Sequence, residues 1–171
     1  MNLDQQIQMI LSDVDGVLTA GGITYDNQGI ETKTFHVRDG LGIKLWQRAG
    51  HDFGIITARS SHIVKLRMAE LGVETVRQGS DDKLRVGKQL IADSGLQPDQ
   101  VCYVGDDLSD LRLLTHVGLA VTVGDGVEEV RSAAHLTTKS HGGHGAIREL
   151  VETILKKQKR WDELIQAYRD S

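Results

Sequence analysis

The sequence predicts an α/β protein of three layers, a central parallel sheet covered by helices on both faces. Three observations predict it. Short apolar runs rich in β-branched residues alternate with longer segments whose apolar residues recur at helical spacing. Strands that alternate with helices are joined by right-handed crossovers, which make neighbouring strands parallel. The length, 171 residues, suits one domain with a sizeable core, and no repeat or interdomain linker divides 1–171.

Taken in order, the strands fall at 7–11, 52–57, 74–78, 100–104, 118–122 and 135–137, and the helices at 40–49, 60–71, 82–94, 109–116 and 127–133. One stretch breaks the alternation. Segments 22–26 and 30–37 read as two strands joined by Asp26-Asn27-Gln28-Gly29, a turn-rich tetrad, so a β-hairpin over about 22–37 protrudes where a helix would be expected. The flexible polar loop His141-Gly142-Gly143-His144-Gly145 opens a tail over 141–171. In that tail 146–157 is amphipathic through Ile147, Leu150, Val151, Ile154 and Leu155, and 161–168 carries a second stripe of Trp161, Leu164, Ile165 and Tyr168.

Composition is that of an ordinary globular chain, 39% hydrophobic and 26% charged, with a net charge of -4. The one basic run, Lys156-Lys157-Gln158-Lys159-Arg160, reads as a solvated helix face, so no nucleic acid is expected as a partner. A single cysteine, Cys102, excludes an internal disulfide, and its apolar neighbours make it a core thiol. The opening MNLDQQIQMIL has neither the basic start nor the apolar stretch of a leader, and no run is long enough to span a membrane. Cytoplasm is the expected compartment.

Chemistry gathers at the carboxyl ends of the strands, where open α/β sheets place their sites. The first strand runs into Ser12-Asp13-Val14-Asp15-Gly16, the second ends in Thr57-Ala58-Arg59, and the fourth ends in Gly105-Asp106-Asp107 with Asp110 a turn further on. Lys83 opens the helix after the third strand. Asp13, Asp15, Asp106, Asp107 and Asp110 in one cleft would repel one another without a cation. Oxygen-only ligation suits Mg²⁺. Such a site also draws phosphate, whose charge Mg²⁺, Lys83 and backbone N–H groups would offset. Each motif alone is an ordinary turn or helix start; all four in order at one end of one sheet are not.

At these four elements the sequence resembles the haloacid dehalogenase superfamily, with its three-layer Rossmann-like fold. Asp13-Val14-Asp15-Gly16-Val17-Leu18-Thr19 matches the first motif, Thr57 the second, Lys83 the third and Gly105-Asp106-Asp107-x-x-Asp110 the fourth. The resemblance implies an aspartyl-phosphate mechanism: Asp13 as nucleophile, Asp15 as acid and then base, and Thr57 and Lys83 on the phosphoryl oxygens. It places Mg²⁺ on the Asp13 carboxylate, the Asp15 backbone carbonyl and Asp106, with Asp107 and Asp110 supporting the ion and Lys83 from behind.

No cap domain fits between Asp15 and Thr57 or between Thr57 and Lys83, so an uncapped site would borrow its lid from another subunit. This architecture is similar to that of the tetrameric 3-deoxy-manno-octulosonate 8-phosphate phosphatases. The similarity includes Phe35-His36-Val37-Arg38-Asp39-Gly40-Leu41-Gly42-Ile43-Lys44, Gln78-Gly79, and Gly142-Gly143-His144-Gly145-Ala146-Ile147-Arg148-Glu149. It implies a homotetramer, a sugar-acid phosphate as substrate, a role in lipopolysaccharide synthesis, and a tail loop that reaches a neighbouring subunit's site. Arg59, Arg38, Lys44 and His144 are then the candidates for reading the sugar carboxylate. His144 stands where this family usually carries Arg, Ala58 interrupts its usual Thr-Gly-Arg, and the chain continues through 158–171. The alternative substrate is therefore the 9-phosphate of a nine-carbon keto-deoxy sugar acid. A non-catalytic regulatory or oligomerisation module of the same fold would have lost Asp13, Asp15 or Lys83, and all three are present.

Overall fold

The structure is a computed structural model and describes residues 7–170. Residues 1–6, most of the opening read above as lacking a leader, and Ser171 lie outside the described residues. Among the described residues, β1 (Met9–Ser12), β4 (Asp52–Ile56), β5 (Thr75–Arg77), β6 (Val101–Gly105), β7 (Leu119–Thr122) and β8 (Leu136–Thr137) form one sheet in the order β5-β4-β1-β6-β7-β8. Every pairing in it is parallel. β1 lies between β4 and β6, with Ser12 opposite Ile55 on one side and Val104 on the other. From β1 the chain steps first toward β4 and β5, then back across to β6. The crevice at that reversal is where a doubly wound sheet binds its ligand.

Strand alternation sorts the core into two layers. Ile10, Cys102 and Val104 face a cluster with Ile43, Trp46, Met68, Leu150 and Ile154, supplied by α1 (Val37–Arg48), α2 (His62–Leu71) and α6 (Ala146–Lys157). Met9, Leu11, Val101 and Tyr103 face the other, with Leu90, Ile91, Leu113, Leu114 and Val130 from α3 (Lys83–Asp93), α4 (Leu111–Leu114) and α5 (Glu128–Ala133). Cys102 is fully buried, and burial pushes its thiol far above the usual range, as a core thiol requires. The last helix, α7 (Trp161–Arg169), packs on α6. No helix of the described residues is long and apolar enough to cross a membrane.

Two expectations need correcting. The hairpin has only two-residue strands, β2 (Thr24–Tyr25) and β3 (Glu31–Thr32), and Val37 is not in it but opens α1. His36 caps that helix, its Nδ1 accepting from the Arg38 N–H at 3.2 Å, so the helix starts three residues before the expected 40. The helix expected at 109–116 is a 3-10 turn over Leu108–Asp110 followed by α4, because Asp107 caps the tighter turn.

The contact between α1 and α6 fixes the tail. Gly42 allows close approach, since a Cβ there would lie 3.0 Å from the Arg148 Cα. Beside it, buried Asp39 accepts from the N–H groups of Gly145 at 3.1 Å and Arg148 at 2.8 Å, so α1 caps the N-terminus of α6. Asp39→Ala should therefore cost about 1–3 kcal/mol of unfolding free energy in urea titration. A change below about 0.5 kcal/mol would remove this cap from the account.

Candidate active site

Asp13 follows β1 directly, its N–H bound to the Val104 carbonyl at 2.9 Å, so the sheet itself sets its position. The residue is 7% exposed. Oδ1 accepts from the Val14 N–H at 2.6 Å and Oδ2 from Lys83 Nζ at 2.7 Å. Lys83, the first residue of α3, is buried as well, and its Nζ also donates to Asp110 Oδ1 at 2.6 Å. A buried ammonium is stable only with such partners. Burial alone would lower the Lys83 pKa, but Asp13 and Asp110 outweigh it and hold the ammonium above its ordinary value.

Asp110 is fully buried and accepts four hydrogen bonds, from Lys83, from Tyr103 Oη at 2.6 Å, and from the N–H groups of Asp106 and Asp107 at 3.0 and 3.2 Å. That exhausts a carboxylate. Asp106, one residue past β6, differs. Its Oδ1 is buried without a hydrogen-bond partner among the described residues. Oxygens of Asp13, Asp106 and Asp110 lie within 4.8 Å of one another. Three carboxylates against one ammonium leave a formal charge of −2. Burial, reinforced by the charges of Asp13 and Asp110, pushes Asp106 up to about 7; burial, against the pull of Lys83, pushes Asp13 up to about 6. An orphaned buried oxygen, an excess of two negative charges and all-oxygen donors fit a hard divalent cation. Because Asp110 is saturated, Asp13 and Asp106 are the carboxylates with capacity left for it.

The surrounding loop is shaped to the same point. Gly16 has φ +93°, and a Cβ there would fall 2.0 Å from Asp106 Oδ2, so only glycine passes between the two strand ends. Thr19 Oγ1 accepts from the N–H groups of Gly16 at 3.4 Å and Gly21 at 3.2 Å. Thr57 is buried at the end of β4. Its carbonyl accepts from the Ser80 N–H at 3.2 Å, which ties the second strand end to the loop before Lys83.

Asp15 lies nearer the surface, between two cations. Lys33 Nζ donates to its Oδ1, and Arg59 Nε lies 3.6 Å from its Oδ2. Arg59 Nη2 also donates to Tyr25 Oη at 2.9 Å and Glu31 at 3.1 Å, so β2 and β3 are pinned to this corner. No sequence signal marks Lys33 and Glu31, because two-residue strands leave no alternation to show which side chains turn inward.

The remaining sequence candidates scatter. Asp107 is exposed, its Oδ1 accepting from the Leu108 N–H at 2.7 Å, and it makes no bond to Lys83. Lys44 is exposed beside Gln47, Ala69 and Gly72 at the C-terminal end of α2, because α1 carries it away from the strand ends. Arg38 and His144 line a different cleft with Leu41, Ser140 and Arg148. The tail loop lies on its own chain. A Cβ at Gly142 would sit 1.8 Å from the Gly16 carbonyl oxygen, and the Gly143 N–H donates to the Val17 carbonyl at 2.8 Å.

A parallel sheet with a buried Asp–Lys–Asp cluster at its reversal point fits a haloacid dehalogenase-like hydrolase, and the family model so described matches residues 75–150. The 3-deoxy-D-manno-octulosonate 8-phosphate phosphatase KdsC of Yersinia pestis is 41% identical over 152 residues, 89% of this chain and 81% of the relative. The crystal structure of the phosphatase of that name from Moraxella catarrhalis, in complex with magnesium ion, phosphate ion and a KDO molecule, matches at TM-score 0.94 and 39% identity, covering 97% of this chain and 95% of that one. The cobalt-bound form of the Haemophilus influenzae phosphatase matches at TM-score 0.89 and 36% identity, with 92% of each chain covered. The chain belongs to the 3-deoxy-D-manno-octulosonate 8-phosphate phosphatase family.

The raised carboxyls carry a stability consequence. Asp13 and Asp106 bind protons more tightly folded than unfolded, so cation-free stability should fall as pH rises from about 4 through 7. Asp106→Asn should stabilise the cation-free protein at pH 8 by about 1–3 kcal/mol in chemical denaturation, while cancelling the stabilisation by added Mg²⁺. A destabilised cation-free variant would contradict the electrostatic reading.

Proposed function

We propose that this chain is a Mg²⁺-dependent phosphomonoester hydrolase that acts on 3-deoxy-D-manno-octulosonate 8-phosphate, in the cytoplasm, for lipopolysaccharide sugar synthesis. The observation that carries the reading is the Asp13 carboxylate, held by Lys83 and the Val14 N–H against the orphaned oxygen of Asp106. The family supports the substrate, because the relatives described above are named for it.

The positions support the following roles. Asp13 is the nucleophile: anchored from behind, it attacks phosphorus in line and becomes an aspartyl phosphate while the sugar alcohol leaves. Asp15 gives the departing alkoxide a proton, then takes one from the water that hydrolyses the acyl phosphate. Lys83 offsets charge on the equatorial oxygens, and Thr57, at the adjoining strand end, offers a hydroxyl to them. Asp13, Asp106 and the Asp15 carbonyl would hold Mg²⁺, which when bound neutralises phosphoryl charge beside the nucleophile. Tyr103 and the two N–H groups on Asp110 keep that carboxylate fixed, so Lys83 stays aimed.

Arg59, with its side chain 40% exposed at the rim, is the group that we assign to the sugar carboxylate. Arg38 and His144 line a cleft of their own with Ser140 and Arg148 and take no part in this reading of the sugar; a homotetramer in which copies close the uncapped clefts over one another would shield the open site. Exposed Ile23, Tyr25 and Ile30 on the hairpin support such packing.

Three measurements test this reading. Asp13→Asn should lower turnover of the octulosonate ester by at least about 10⁴-fold with the fold intact by circular dichroism; a rate near wild type refutes the nucleophile. Across a panel of eight- and nine-carbon keto-deoxy acid phosphates, kcat/KM should be highest for the eight-carbon ester, and preference for a nine-carbon one would reassign the substrate. Light scattering should give the mass of a tetramer. A strict monomer at assay concentration contradicts the shared lid.

A further inference from the structure

Lys33 has no part in the four motifs, yet its side chain is 1% exposed. An ammonium is kept that far from water only by anionic partners. Lys33 has two: its Nζ donates to Asp15 Oδ1 and lies 3.5 Å from Glu31 Oε1. Glu31 in turn accepts from Arg59 Nη2 at 3.1 Å and Ser61 Oγ at 2.6 Å, and Arg59 Nε lies 3.6 Å from Asp15 Oδ2. Lys33, Asp15, Arg59 and Glu31 thus form a closed ring of two cations and two anions. That ring holds one carboxylate of the reaction centre on residues of the hairpin.

The two sides of Asp15 are not equivalent. Lys33 occupies Oδ1 with a hydrogen bond, whereas Oδ2 accepts none among the described residues. The buried Arg59 Nε–H beside Oδ2 is unpartnered too. The Lys33 contact therefore fixes the rotation of the carboxylate and leaves one oxygen available. A side chain that must meet a leaving oxygen within hydrogen-bond reach loses much of its effect if it is free to rotate away.

We propose that Lys33 is a positioning residue for Asp15: it reserves Oδ1, so that Oδ2 is the oxygen that exchanges the proton with the leaving alcohol. The hairpin is then part of the acid–base machinery and not only a protrusion. This inference rests on the phosphatase reading above.

Leaving-group dependence separates positioning from a general structural role. The p-nitrophenyl ester expels a stable phenolate and needs little protonation, whereas the p-nitrobenzyl ester of similar size expels an alkoxide and depends on the acid. For the full-length Mg²⁺ enzyme, kcat/KM reports steps up to departure of the alcohol. Lys33→Met should lower it about 10²-fold for p-nitrobenzyl phosphate and by no more than about threefold for p-nitrophenyl phosphate, an asymmetry that Asp15→Asn should show in stronger form. Lys33→Arg should recover most of the loss. If Lys33→Met is not recovered folded, Lys33→Gln, which keeps a donor but no charge, should show the same asymmetry in weaker form. Equal losses on both esters, or none on either, overturn the role of Lys33 and leave the phosphatase reading standing. Wild-type protein inert toward both esters and the sugar-acid phosphate overturns that reading, and this inference with it.

Discussion

Everything at the strand ends depends on one buried contact, the ammonium of Lys83 between the carboxylates of Asp13 and Asp110. Desolvated charges are tolerated in pairs, and here the count is uneven. Asp106 brings a third carboxylate to a site with one buried cation, and one of its oxygens finds no partner. The fold accepts that imbalance because the sheet leaves little choice: β1 and β6 are adjacent and parallel, so residues just beyond their ends must meet. The instability is the functional provision, since whatever neutralises the surplus binds at the nucleophile.

The architecture was largely legible from the sequence because it rests on long-range regularity. A short buried strand reads as an unbroken apolar run, and a helix such as α6 announces its face through Ile147, Leu150, Val151 and Ile154. Short elements were harder. Val37 looked like the end of a strand because the β-branched residues preceding a helix and those within a strand look alike, and only the His36 cap decides between them. The helix expected at 109–116 failed for a similar reason: Asp107 and Asp110 are spent on capping and on Lys83, which tightens the first turn.

Within the site, legibility followed distance from the sheet. Asp13, Asp106, Asp110 and Lys83 were readable because strand ends and helix starts fix them. Asp107, next to Asp106, turns out to solvent, which adjacency in sequence could not reveal. Lys44 is carried by α1 to the C-terminal end of α2, which its basic side chain alone could not reveal. Lys33 was invisible, since a lysine beside a two-residue strand looks like any surface lysine. Gly142 and Gly143 of the tail loop have a physical reason in their close approach to residues 16–20 of the same chain, where a side chain would overlap backbone.

The central claim is that surplus carboxylate charge around Lys83 is completed by a divalent cation. Isothermal titration calorimetry with Mg²⁺, run near pH 6.5 in buffers of different ionisation enthalpy and repeated near pH 9, tests it most directly. Proton release is expected at the lower pH, where Asp106 and Asp13 still hold protons that the ion must displace, and none at the higher. Binding with no proton exchange at either pH, or no binding at all, would contradict it.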